Sequence, residues 1–190
     1  MKVHIQIILI VVFLFSACSI ITIVKAQDII NSPVTVDSVD LTKYAGLWYE
    51  IAKIPNRFQK SCARNTTAEY KLRDDGKIDV INKCVEENGN INEAKGIGEV
   101  VDTTTKAKLE VSFVRILGIQ LFWGDYWIIG LDKDYKYAVV GTPTRKYGWI
   151  LSRTPELSTG DMNTIYNILR EQGYNPGDFV MTKQTENNEG

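Results

Sequence analysis

From Leu47 to Ser152 the chain is a series of short extended runs separated by tight-turn signals, and that series most constrains its fold. Arg73-Asp74-Asp75-Gly76-Lys77 is the strongest signal, because Gly tolerates positive φ and Asp bonds its own backbone. It separates two runs that read as a hairpin. Asn88-Gly89-Asn90 and Asp132-Lys133-Asp134 mark further turns. Lys108–Phe113 alternates, with Leu109, Val111 and Phe113 on one face and Lys108, Glu110 and Ser112 on the other, the period of a half-buried strand. Eight strands are expected, at 47–54, 64–73, 77–86, 93–102, 107–115, 124–132, 136–141 and 146–152. Serial strands with short turns predict an all-β, antiparallel up-and-down meander. Eight strands can close into a barrel, which removes exposed edges and can enclose one small ligand. One helix follows. Ser158 is its N-cap, Asp161 lies in its first turn, Met162, Ile165, Tyr166 and Leu169 share one face, and Gly173 ends it. This helix is expected to pack on the barrel wall. Phe179–Met181 reads as a short closing strand.

The rarest residues narrow the chemistry. Among 190 residues there is one histidine, His4, and three cysteines, Cys18, Cys62 and Cys84. His4 and Cys18 lie in an apolar N-terminal stretch, Ile5–Val24, that reads as an export leader after Lys2. Three readings of the leader stand side by side. Val24-Lys25-Ala26 before Gln27 fits ordinary signal peptidase. Phe15-Ser16-Ala17-Cys18 looks like a lipobox, which would place a lipid on Cys18 and an outer-membrane lipoprotein in the envelope. An uncleaved anchor is the third, since about 20 apolar residues can span a bilayer. All three export the domain. The organisation expected is a signal segment over 1–26, a polar lead-in over 27–37, a domain over 38–183 and a flexible tail over 184–190. Without the leader the chain has no histidine, which excludes Ser-His-Asp and Cys-His nucleophile chemistry, histidine-ligated haem and most zinc enzymes. No metal or cofactor is expected. The full chain carries a formal charge of −1, and losing Lys2 and Lys25 with the leader makes it −3. That balance argues against nucleic acid as a partner. An oxidising compartment favours a Cys62–Cys84 disulfide, with two buried free thiols as the alternative.

Three motifs in order carry a family resemblance. Gly46-Leu47-Trp48-Tyr49-Glu50-Ile51-Ala52 resembles the Gly-x-Trp signature that opens the first strand of lipocalins. Tyr126–Tyr135 resembles the second signature, and Trp149-Ile150-Leu151-Ser152-Arg153-Thr154-Pro155 the third, with its closing arginine. The chain therefore resembles the lipocalin family over about residues 38–183, most nearly its bacterial outer-membrane lipoproteins and apolipoprotein D. The resemblance implies a calycin barrel that carries ligands and is not an enzyme. It also implies that Arg153 packs across Trp48 at the closed end, so that Gly46, Trp48 and Arg153 are structural. Matched to lipocalin pockets, the inward, ligand-binding set is Ala68, Tyr70, Val80, Asn82, Val111, Phe113, Tyr126, Ile128, Val140, Tyr147 and Trp149. Such an interior suits a lysophospholipid, a fatty acid or a similar amphiphile, whose polar oxygens Tyr70, Tyr126, Tyr147 and Asn82 would hold. The competing reading is a solid small-barrel core.

Ile116–Trp123 is nearly all apolar and joins the fifth and sixth expected strands at the barrel mouth. An exposed apolar loop marks a membrane, partner or ligand-entry surface, and the alternative is that it folds back as packed strand. Two rival functions remain at this point. One is an enzyme, either an isomerase using Cys84 or a carboxylate-based hydrolase. The other is a protein-binding module using 116–123. Asn65-Thr66-Thr67 is a glycosylation sequon, of use only in a eukaryotic secretory host. The expected state is a monomer or weak homodimer.

Overall fold

Asp- and Gly-bearing turns set the strand ends. Gly76 adopts φ +80, and the Arg73 and Lys77 backbones close the turn around it. The computed structural model describes residues 32–185. The leader with His4 and Cys18, both cleavage sites and the last five residues lie outside them. The strands are β1 (Gly46–Lys53), β2 (Cys62–Leu72), β3 (Ile78–Glu86), β4 (Ile91–Val100), β5 (Lys108–Ser112), β6 (Val114–Ile116), β7 (Ile119–Leu121), β8 (Gly124–Leu131), β9 (Tyr137–Gly141), β10 (Gly148–Ser152) and β11 (Val180–Met181). Each strand in the order β1-β2-β3-β4-β5-β8-β9-β10 pairs antiparallel with the next, and β10 returns to β1. The result is a closed eight-stranded barrel, with β11 added beside β1. The expected fold class is thus observed, with strand limits shifted by a few residues.

Alternation divides the apolar residues into two cores. Trp48, Ala68, Tyr70, Val80, Leu109, Ile128, Val140 and Leu151 fill the lower barrel. Ile129, Val139 and Ile150 point outward from the same strands and meet Ile165 and Leu169 of α2 (Thr159–Glu171). The Ser158 hydroxyl accepts from the Asp161 amide at 3.0 Å and caps this helix as expected.

Two local features depart from the sequence expectation. A short helix α1 (Leu41–Tyr44), capped by Asp40, stands before β1. The lead-in ahead of it crosses the closed end, where the Val39 amide donates to Thr105 O at 2.8 Å and Val39 is buried. Valines spaced among polar residues show neither strand nor helix period, so the segment reads as loop. The expected strand 107–115 breaks at Ser112, and β6 and β7 form a separate ribbon. Leu117 and Gly118 turn it with φ +50 and +84, the two positive values a type I′ hairpin turn needs. This segment is extended, as one reading held, yet it does not pack down. Ile116, Leu117, Ile119 and Phe122 are exposed, Leu117 by 98%.

Candidate ligand-binding site

The barrel floor is built around Trp48. β1 starts at Gly46 with φ +94, a conformation that costs glycine little, and a Cβ added there would meet Arg153 Nη1 only at ordinary contact distance, so backbone conformation and not space calls for glycine. The Arg153 guanidinium lies 3.8 Å from the centre of the Trp48 ring, a cation–π contact. It also donates to four carbonyls, those of Leu47 (2.7 Å), Lys43 (2.6 Å), Tyr44 (3.1 Å) and Ala45 (3.0 Å). The last three belong to the C-terminal turn of α1, whose free carbonyls need donors. One side chain thereby fastens α1 across the closed end. Trp48 itself donates to Tyr44 O at 2.8 Å.

Aromatic rings rise from this floor. Tyr44 lies 5.0 Å from Trp48 and 5.6 Å from Tyr70, and Tyr70 lies 5.9 Å from Tyr126, centre to centre. Their hydroxyls converge, with Tyr44 to Tyr126 at 2.7 Å and Tyr70 to Tyr126 at 2.8 Å. Burial raises the pKa of all three phenols, that of Tyr70 to about 12.

The proposed inward residues fall at three levels. Ala68, Tyr70, Val80, Ile128 and Val140 are buried in the lower barrel, where they close the interior. Val111, Tyr126 and Trp149 are half-buried against that core. Asn82, Phe113 and Tyr147 stand higher. Asn82 pairs with Ala94, which shares its inward side and is nevertheless exposed. An inward position that remains exposed means the upper barrel is open. The Phe113 ring lies against Gly96, where an added Cβ would come within 2.7 Å of it. Tyr147 stacks on Trp149 at 6.2 Å and meets Phe58 at 5.7 Å on the rim. The lower interior is filled by side chains, and above it the inward positions Ala94 and Phe113 are exposed.

Sequence reasoning missed a polar group on the upper wall. Glu50 pairs with Leu151 and Lys53 with Trp149, so both side chains share the barrel interior with residues of its core. The Glu50 carboxylate is buried and accepts from Lys53 Nζ (2.8 Å), Gln59 Nε2 (2.6 Å) and Thr182 Oγ1 (2.6 Å). Gln59 Oε1 in turn accepts from Trp149 Nε1 at 3.0 Å and Asn56 Nδ2 at 2.8 Å. These bonds tie the β1–β2 loop to the inner wall. Glu50 was legible, since it lies two residues beyond the buried Trp48. Lys53 was not, because a bulge between Glu50 and Ala52 reverses the alternation.

Cys62 and Cys84 form a disulfide that joins β2 to β3. Cys84 therefore has no free thiol, and the cysteine isomerase reading is corrected on that ground. Among the described residues no cluster of three or more His, Cys, Asp or Glu is placed to hold a metal ion.

A barrel plugged at one end, open at the other and lined with apolar and aromatic side chains is the architecture of a carrier for small hydrophobic ligands. A family profile described as a lipocalin-like domain matches residues 39–184. Outer membrane lipoprotein Blc of Escherichia coli K12 is 35% identical over 173 residues, covering 90% of this chain and 91% of that protein. Apolipoprotein D of Mus musculus is 32% identical over 184 residues, covering 90% and 93%. Among solved structures, insecticyanin of the tobacco hornworm Manduca sexta superposes with a TM-score of 0.66 at 25% identity, over 82% of this chain and 85% of that one. The chain belongs to the lipocalin family.

Proposed function

We propose that this lipocalin carries an amphiphilic lipid, a lysophospholipid or fatty acid, and serves membrane maintenance or lipid transfer outside the cytoplasm. The observation that supports this most is the division of the interior into a sealed aromatic floor and an open upper cup. An acyl chain would lie along Val111, Phe113 and Trp149, with its head group near Asn82 and the Glu50–Lys53 pair. The driving force is burial, about 0.8 kcal/mol per methylene. A C16 chain then reaches about micromolar affinity once binding costs are met. The leader and the likeness to an outer membrane lipoprotein support placement in the cell envelope or beyond it. Mass spectrometry of the mature N-terminus separates lipidation at Cys18 from cleavage after Ala26.

The test is titration with lysophosphatidylcholine while tryptophan fluorescence is followed in the parent and in Trp149→Phe. A saturable change at micromolar lipid is expected in the parent and a much smaller one in the variant. Absence of any saturable change in the parent, checked by calorimetry, overturns the carrier reading.

The β6–β7 ribbon supports a second element of this proposal, contact with a membrane surface at the mouth. Val114, Ile116, Leu117 and Ile119 are exposed along the ribbon and Phe122 just beyond it, an apolar face suited to lipid.

A further inference from the structure

The barrel strands are joined alternately at the two ends, and the two sets of connections differ in charge. At the closed end lie 73–77, 101–107 and 132–136, and each holds as many acidic as basic residues. There Arg73 pairs with Asp75 and Asp79, Lys77 with Glu99, and Lys133 with Asp134. At the open end, three of the four connections, 54–61, 113–123 and 142–147, hold five basic residues and no acidic one. Four of these cations, Arg57, Lys60, Arg115 and Lys146, are exposed, and none pairs with a carboxylate among the described residues. The fourth connection, 87–90, carries Glu87 alone. The whole chain has a formal charge of −1, so this end is basic against the sign of the molecule. Protein surfaces usually mix both signs, and a face of one sign projects a field. Two of the basic connections also expose Phe58, Leu117 and Phe122. The Arg57 guanidinium lies 5.0 Å from the centre of the Phe58 ring, Lys146 Nζ lies 5.6 Å from that of Tyr147, and the two rings meet at 5.7 Å.

We infer that the open end docks on a bilayer surface that carries anionic phospholipid. The inference rests on the membrane contact proposed above and adds the charge of the lipid to it. Charge decides the partner. A neutral apolar surface would cover Leu117 and Phe122, yet it would desolvate the neighbouring cations without pairing them, which is costly. An anionic bilayer answers both needs: the apolar side chains enter the acyl boundary while the cations stay among the phosphates. Each cation near such a surface is worth about fivefold in partitioning. The gain is screened by salt, because the Debye length contracts from about 10 Å at 0.1 M to about 3 Å at 1 M. Docked in this way, the mouth faces the lipid source and the charge-balanced closed end faces water.

Co-sedimentation with phosphatidylcholine vesicles, plain or with about a quarter of the lipid replaced by phosphatidylglycerol, tests this. At about 0.1 M salt the parent should bind the anionic vesicles at least about tenfold more tightly than the neutral ones, and the preference should collapse towards about 1 M. The mouth variant Arg57→Gln, Lys60→Gln, Arg115→Gln, Lys146→Gln should lose the preference. Its retained binding to neutral vesicles reports that it is folded. A control variant, Arg73→Gln, Lys77→Gln, Lys133→Gln, Lys136→Gln, removes the same number of exposed cations from the closed end and should keep the preference. Equal binding of both vesicles by the parent overturns the inference and leaves the ribbon's lipid contact standing. So does a preference that survives in the mouth variant, or one that is lost in the control as well. Binding of neither vesicle removes the membrane contact and the inference with it. Sedimentation velocity without lipid checks the rival occupant: a parent dimer that the mouth variant dissociates would assign this face to a second copy of the chain and overturn the inference.

Discussion

Arg153, Trp48 and the three floor tyrosines show how few residues shape this interior. Arginine suits its position because a planar guanidinium can lie flat on an indole while its edges reach several carbonyls. The tyrosines make stability sensitive to alkali. In an unfolded chain a phenol ionises near pH 10, whereas Tyr70 in the barrel does so at about 12. A folded pKa above the unfolded one means that the unfolded state releases its proton first. The contribution is fully present below pH 10 and is lost as pH rises towards 12. The urea midpoint should therefore fall between pH 10 and 12, and Tyr70→Phe should flatten that fall. An equally steep fall in the variant would show that Tyr70 is not responsible. At this scale the Gly-x-Trp and terminal arginine motifs were legible. The meeting of Tyr44, Tyr70 and Tyr126 was not, because hydroxyls 56 and 82 residues apart in sequence are brought together only by barrel closure.

Among the elements, the β6–β7 ribbon is the most exposed apolar one. Ribbons of two strands are marginal alone, and this one gains little burial from the barrel. It has Leu117 at its tip with φ +50 and nearly full exposure. A branched apolar residue in that conformation is unfavourable on both counts. Leu117→Asp should leave the thermal midpoint within about 2 °C of the parent, since surface substitutions cost within about 0.5 kcal/mol. It should reduce co-sedimentation with phosphatidylcholine vesicles severalfold. Undiminished vesicle binding would remove the ribbon from the membrane proposal. Sedimentation velocity of the same pair tests self-association, because a change of mass would assign the ribbon to a second copy of the chain. The apolar run was plain in the sequence. Its form was not, because alternation cannot distinguish a strand that continues in the barrel from one that peels away at Ser112.

Across the whole molecule, closure is reinforced covalently. The disulfide links residues 22 apart, and loop-closure entropy puts such a link at about 3 kcal/mol. Replacing both Cys62 and Cys84 by Ser should lower unfolding free energy by about 2–4 kcal/mol, read by chemical denaturation under non-reducing conditions. A loss below about 0.5 kcal/mol would show that the sheet alone supplies the order. The barrel's strand number, antiparallel order and C-terminal helix followed from residue order, because each is written in local chemistry: turn residues, alternation, a capping serine. The sealed floor was implied only by the family resemblance, since Trp48 and Arg153 lie at opposite ends of the domain. How deep the solid core reaches, which way Lys53 points past its bulge and where three phenols share two bonds were settled only by the folded barrel. Those properties depend on strands distant in sequence lying side by side, and no local pattern records the distance between their side chains.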